Sequence, residues 1–101
     1  LYDEAGSHKA ERCRALLFIG KSHAHQRQRD EAIQSLEKLL AECVASDLRA
    51  EARYHIAKAR AARREAERAI EHYDALAKEA PTHTLADDAL LLAARLSFDR
   101  G

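Results

Sequence analysis

The chain has 101 residues, with 17 basic and 17 acidic side chains. It is therefore one domain or part of one. Its 47% apolar fraction includes 22 Ala and 13 Leu, against four Ile, one Val, three Gly and one Pro, a helical composition that argues against a β-sandwich, a barrel or a sizeable parallel sheet. Charge balances overall and within each half, with eight groups of each sign over residues 1–50 and nine of each over 51–101, which disfavours a general nucleic-acid binder.

The apolar run Ala15–Ile19 is far too short to cross a bilayer, and no run in the chain approaches the length needed. The chain opens on Leu1 rather than Met. It is therefore expected to be a fragment or a processed chain, so its lack of a signal peptide says nothing about the parent.

Helix signals follow in order. Ser7 after Gly6 is a candidate N-cap for a first helix over 8–26, with Ala10, Cys13, Leu17, Gly20 and Ala24 on one face. The polar stretch 25–29 reads as a turn. A second helix over 30–44 places Ala32, Ile33, Leu36, Leu39, Leu40 and Cys43 inward. Ser46 and Asp47 offer the next cap, and a third helix over 47–62 turns Leu48, Ala52, Ile56 and Ala59 inward. Residues 60–64 contain no breaker, but the apolar stripe changes phase there. This predicts a short turn at 62–65 and a fourth helix over 65–80 that buries Ala66, Ala69, Ile70, Tyr73, Leu76 and Ala77. Pro81 ends it. Thr84 with Asp87 has the spacing of a capping box for a fifth helix over 84–100, with Leu85, Ala89, Leu92 and Leu96 inward. Gly101 falls where that helix should stop.

Five helices joined by short turns prompt a search for repeats. An offset of 37 aligns Ala32 with Ala69, Ile33 with Ile70, Leu36 with Tyr73 and Leu39 with Leu76. The same offset pairs Leu17 with Tyr54 and Leu91, and Gly20 with Ala57 and Ala94. Small residues thus recur where two helices must approach closely.

On these residues the chain resembles the tetratricopeptide-repeat family. Leu16, Ile19 and Gly20 match the bulky, bulky and small positions of that family's first helix. Ala32, Leu36, Leu39 and Val44, then Ala69, Tyr73, Leu76 and Pro81, match its second helix and exit. Departures are Val44 in place of Pro, Arg53 at a bulky position, and a period of 37 instead of the usual 34, which suggests a longer loop between units. The resemblance implies an all-α, right-handed α-solenoid of antiparallel hairpins. It has about two and a half repeats: 8–44, 47–81, and a first helix alone over 84–101. The junction Pro81–Leu90 is similar to bacterial cell-envelope members, such as the superhelical domain of soluble lytic murein transglycosylases and the TolA-binding protein. The periplasm or cell envelope is therefore favoured over the cytoplasm.

Chemistry-bearing motifs are sparse. Cys13 and Cys43 would sit at the same end of an antiparallel helix pair. A disulfide is geometrically available, and the alternative is two buried free thiols acting as small hydrophobes; export would favour the bond. No CxxC or HExxH motif, phosphate loop or nucleophile elbow occurs. No metal, cofactor or catalytic residue is therefore expected, and the chain is read as a non-enzyme.

The resemblance assigns the concave groove to the first helix of each unit. Leu17, Tyr54 and Leu91 would form an apolar ladder, and Lys21, Lys58 and Arg95 a basic one. Flanking groove positions are Arg14, Ala24 and His25, then Glu51, Ala61 and Ala62, then Asp88 and Phe98. Such a groove suits a peptide or protein partner with acidic residues. The alternative is that these cations complement helix C-termini and stay in water. Cations gather at the turns inside units and carboxylates at the junctions between them. A weaker reading has the basic rim touching nucleic acid or lipid. Leu90, Leu91 and Phe98 would stay uncovered on the fifth helix, so self-association through that helix is expected. The leading expectation is an interaction scaffold. The alternative is the non-catalytic superhelical domain of a peptidoglycan lytic transglycosylase.

Overall fold

The computed structural model describes residues 2–100, with side chains over 9–99. Among these the chain forms α1 (Tyr2–His25), α2 (Arg29–Glu42), α3 (Ser46–Ala62), α4 (Ala66–Glu79) and α5 (Thr84–Arg100), with no strand. Each helix packs on the next; α1 also touches α3, and α3 touches α5. Among the described residues no close backbone approach joins α1 to α4 or α5, or α2 to α4 or α5. The array is therefore open, and not a closed bundle, as a stack of hairpins requires.

Two apolar clusters hold the stack. Cys13, Leu16, Leu17, Leu36, Leu39, Cys43, Ala52 and Ile56 form the first. Ala50, Ala57, Ala69, Tyr73, Leu76, Ala80, Ala86, Ala89 and Ala93 form the second. Helix α3 serves both. Ala52 and Ile56 face the first hairpin while Ala50 and Ala57 face α4 and α5, so α3 is apolar on two sides. The small Ala side chains let helix axes come close. Gly20 takes this furthest: a Cβ there would lie 2.5 Å from Leu36 Cγ.

The two hairpin turns are built alike. Arg27 and Arg64 both have φ 64°, a left-handed conformation that costs a residue with a Cβ energy. After each of them the next amide reaches back across the helix end. Gln28 N–H donates to the His23 carbonyl (2.8 Å), and Glu65 N–H donates to the Arg60 carbonyl (2.9 Å). Arg27 N–H donates to Ala24 (3.1 Å), as Arg64 N–H does to Ala61 (3.0 Å). These are Schellman closures, in which the returning amides satisfy the last carbonyls of α1 and α3. All of these equivalent positions lie 37 residues apart.

The same offset governs side chains. Arg12 pairs with Glu42, and Arg49 with Glu79. Cys13 and Cys43 are joined by a disulfide with Cα atoms 6.0 Å apart. Thirty-seven positions on, Ala50 and Ala80 are buried instead. Ser35 donates to the Leu16 carbonyl, and the equivalent pair, His72 and Arg53, is in hydrogen-bond contact at 3.2 Å. One hairpin is thus drawn twice with different chemistry.

Several sequence expectations need correction. The backbone is already helical at Ser7, because α1 starts at Tyr2, so Ser7 is no N-cap. Helix α3 begins at Ser46 after Ala45, with no side-chain cap. Thr84 is itself the first residue of α5, one place too late to cap it. His83 takes the role: its Nδ1 accepts the Leu85 N–H at 3.0 Å. No lengthened loop separates the units. The linkers are only residues 43–45 and 80–83, and the longer period is taken up by helix, with α3 running 17 residues. Gly101 lies outside the described residues.

Candidate partner-binding groove

The first helices of the two hairpins, α1 and α3, lie against each other. Near their C-terminal ends they enclose a cleft of about 680 Å³, lined by Phe18, Lys21, Ser22, Ala24, His25, Gln26, Arg29, His55, Lys58, Ala59 and Ala62. Its wall repeats with the chain. Phe18 and His55, Lys21 and Lys58, Ser22 and Ala59, and His25 and Ala62 are each 37 residues apart. Side chains one helical turn apart, at 18 and 22 or at 55 and 59, share a face, so two parallel helices in register present matched columns.

The lining holds three permanent cations, Lys21, Arg29 and Lys58, two histidines, and no carboxylate. Lys21 Nζ reaches Glu51 Oε1 of α3 at 3.2 Å, with both side chains partly in solvent. Such a pair contributes little to stability, but it holds the ammonium at the cleft mouth. Lys58 Nζ lies 5.4 Å from the centroid of the Tyr54 ring, within cation–π range. Burial pushes the His55 imidazole below its ordinary value, and Lys21 adds to this. His55 thus presents a neutral edge between two ammonium groups. Phe18 is 72% exposed and gives the cleft an apolar contact. Space, fixed positive charge and one aromatic face are what the site offers a ligand.

The expected ladders are only half assembled. Lys21, Lys58, Ala24, His25 and Ala62 line the cleft. Leu17 does not: it is 7% exposed and packed in the first core cluster, because its helix face turns toward α2 and α3. Tyr54 is half-buried, edge-on to Tyr73 with ring centroids 6.1 Å apart. Its hydroxyl donates to Asp88 Oδ2 at 3.4 Å, and burial followed by Asp88 raises its pKa. Leu91 is exposed on α5. A continuous apolar ladder is therefore absent. Arg95, also exposed on α5, is not part of the cleft wall.

The sequence expectation left Phe18, Arg29 and His55 out of the groove and grouped Arg29 with the cations of the basic rim. Phe18 and His55 could have been found, since they obey the same offset as Lys21 and Lys58. Arg29 could not, because only the left-handed turn at Arg27 brings the start of α2 beside α1. Some of the expected basic rim is consumed internally. Arg60 pairs with Glu37 and Glu65, and Arg63 with Asp30. At the other end, Arg49 and Arg53 converge on Glu79. Burial alone would raise the Glu79 carboxyl, but these two guanidinium groups overcome that and hold it below the usual range. Among the described residues no cluster of His, Cys, Asp and Glu could hold a metal ion. Among the same residues no helix is long and apolar enough to cross a membrane.

The sequence profile described as tetratricopeptide repeat matches residues 14–43 and 51–83. These segments start within α1 and α3 and include α2 and α4. No curated protein matches the chain, and no solved structure does.

Proposed function

The chain belongs to the tetratricopeptide-repeat family and is in general terms a protein–protein interaction scaffold; from that premise we propose that the cleft between α1 and α3 holds a carboxylate-bearing segment of a partner protein. One observation carries the reading: the wall supplies Lys21, Arg29 and Lys58 with no carboxylate. Positive charge held in a concavity attracts anionic groups and speeds their encounter. Phe18 adds a place for an apolar side chain beside them. The role is binding, with no catalytic step assigned to this chain.

Two further parts of the reading have their own support. An oxidising compartment, the bacterial periplasm or cell envelope, is the proposed place of action, since the Cys13–Cys43 bond belongs to settings where thiols are not kept reduced. Self-association through α5 is supported by Leu90, Leu91 and Phe98, which are 51%, 60% and 85% exposed.

The test is a fluorescence-anisotropy titration with a labelled ten-residue peptide of alternating Glu and Leu, with a Lys/Leu peptide as control. The acidic peptide should bind and the basic one should not, with affinity falling as salt rises. Arg29→Glu with Lys58→Glu should weaken binding at least tenfold while the helical circular dichroism stays unchanged. Lys21 is left in place because it also pairs with Glu51. Equal binding of both peptides, or an unaffected double variant, would remove the acidic-segment reading.

A further inference from the structure

The exposed face of α5 has an assigned meaning in the repeat. Thirty-seven positions earlier, Tyr54, Ala57 and Ala61 of α3 pack in the second cluster with α4. Their equivalents on α5 are Leu91, Ala94 and Phe98, and these stay exposed. The face is thus one by which a first helix receives an antiparallel partner helix. Its occupant must be a helix with an apolar stripe.

Charge identifies which helix. Asp87 and Arg95 lie on this same side of α5, and neither makes a hydrogen bond or ion pair among the described residues. They are symmetric about Leu91, four residues to either side, and Thr84 and Phe98 are symmetric about it at seven. An antiparallel copy of α5 centred on Leu91 sets each Asp87 against the partner's Arg95. A parallel copy sets like against like. We propose that two copies of the chain pair through antiparallel α5 helices across a two-fold axis at Leu91. The two leucines meet at the axis, flanked by two Asp–Arg pairs, with Phe98 covering the start of the opposing helix. Such a contact is isologous and closes at two copies, whereas head-to-tail stacking of repeat ends would continue indefinitely. The proposal rests on the self-association of α5 and is independent of the cleft.

Sedimentation over a concentration series, with cross-linking of Leu91→Cys and Phe98→Cys variants by a short bismaleimide, tests it. The native cysteines are bonded to each other and do not compete. With a rise of about 1.5 Å per residue, Leu91 meets its own copy, whereas the two Phe98 positions stand about 21 Å apart along the axis. A closed dimer should form, cross-linked at 91 and not at 98. Asp87→Arg or Arg95→Asp alone should weaken the dimer, and the double swap should restore it. Cross-linking at both positions, or indifference to the charge changes, would overturn the antiparallel register while leaving self-association standing. Open-ended growth would overturn the two-fold. A monomer at every concentration would overturn both.

Discussion

Replacing Gly20 with Ala probes the closest helix approach in the chain. In an exposed helix interior this change stabilises by about 1 kcal/mol, because Gly loses more backbone entropy than Ala. At Gly20 the new Cβ would lie 2.5 Å from Leu36 Cγ and 3.2 Å from Leu36 Cδ1. Carbon atoms pack at about 3.5–4.0 Å, so roughly 1 Å must be absorbed. Leu36 is fully buried, and its branch point is struck along with its Cδ2 methyl, so a rotation of the side-chain tip alone does not relieve the clash. Overpacking of this kind costs about 1–3 kcal/mol. The net expectation is a loss of about 1 kcal/mol, read as a lower urea midpoint with unchanged slope. Leu36→Ala alone should cost about 2–5 kcal/mol. In the Gly20→Ala background it should cost less, with a coupling of about 1–2 kcal/mol. The second hairpin already contains the compatible pair, Ala57 with the planar ring of Tyr73. A higher midpoint for Gly20→Ala, or additive effects in the double variant, would show that α1 and α2 are not in this contact.

Three other outcomes are expected. The Cys13–Cys43 bond closes a loop with a sequence separation of 30, so reduction, or Cys13→Ala with Cys43→Ala, should lower stability by about 3–4 kcal/mol; an unchanged urea midpoint after complete reduction would contradict this. Arg64 occupies a left-handed position and makes no ion pair among the described residues, so Arg64→Gly should stabilise by about 1 kcal/mol, and a lower thermal midpoint would refute the turn geometry. Burial, then Tyr54 and Asp88, pushes the Tyr73 hydroxyl up to about 12 from an ordinary value of about 10. The folded state thus favours the neutral phenol, and its contribution is complete below pH about 10 and lost as pH rises toward about 12. Ultraviolet titration should show Tyr73 as the last tyrosine to ionise, coinciding with alkaline unfolding and following the also raised Tyr54, and Tyr73→Phe should remove that last step.

Much of the fold was legible because the signals were periodic. The apolar stripes of α2 and α4 share one pattern, and Pro81 and the phase change after Arg60 marked real ends. Caps were less legible, since Ser7, Ser46 and Thr84 all resemble N-caps, yet a cap works only at the residue just before the first helical turn. The His83 ring substitutes for the expected Thr84 hydroxyl, which no propensity scale suggests. Of the groove, charge was readable and burial was not. Leu17 and Leu91 occupy equivalent repeat positions, but Leu17 is covered by neighbouring helices and Leu91 is not. Sequence spacing fixes a residue's face; exposure depends on whether another helix arrives there.

Equivalent positions on α1 and α3 line one cleft, which in the proposed function is where the partner binds. Amide chemical-shift mapping of the isotopically labelled chain, titrated with the Glu/Leu peptide, tests it directly. Saturable shifts are expected in residues 18–29 and 55–62, with α4 and the exposed face of α5 unmoved. Shifts confined to one of the two helices, or centred on α5, would contradict it.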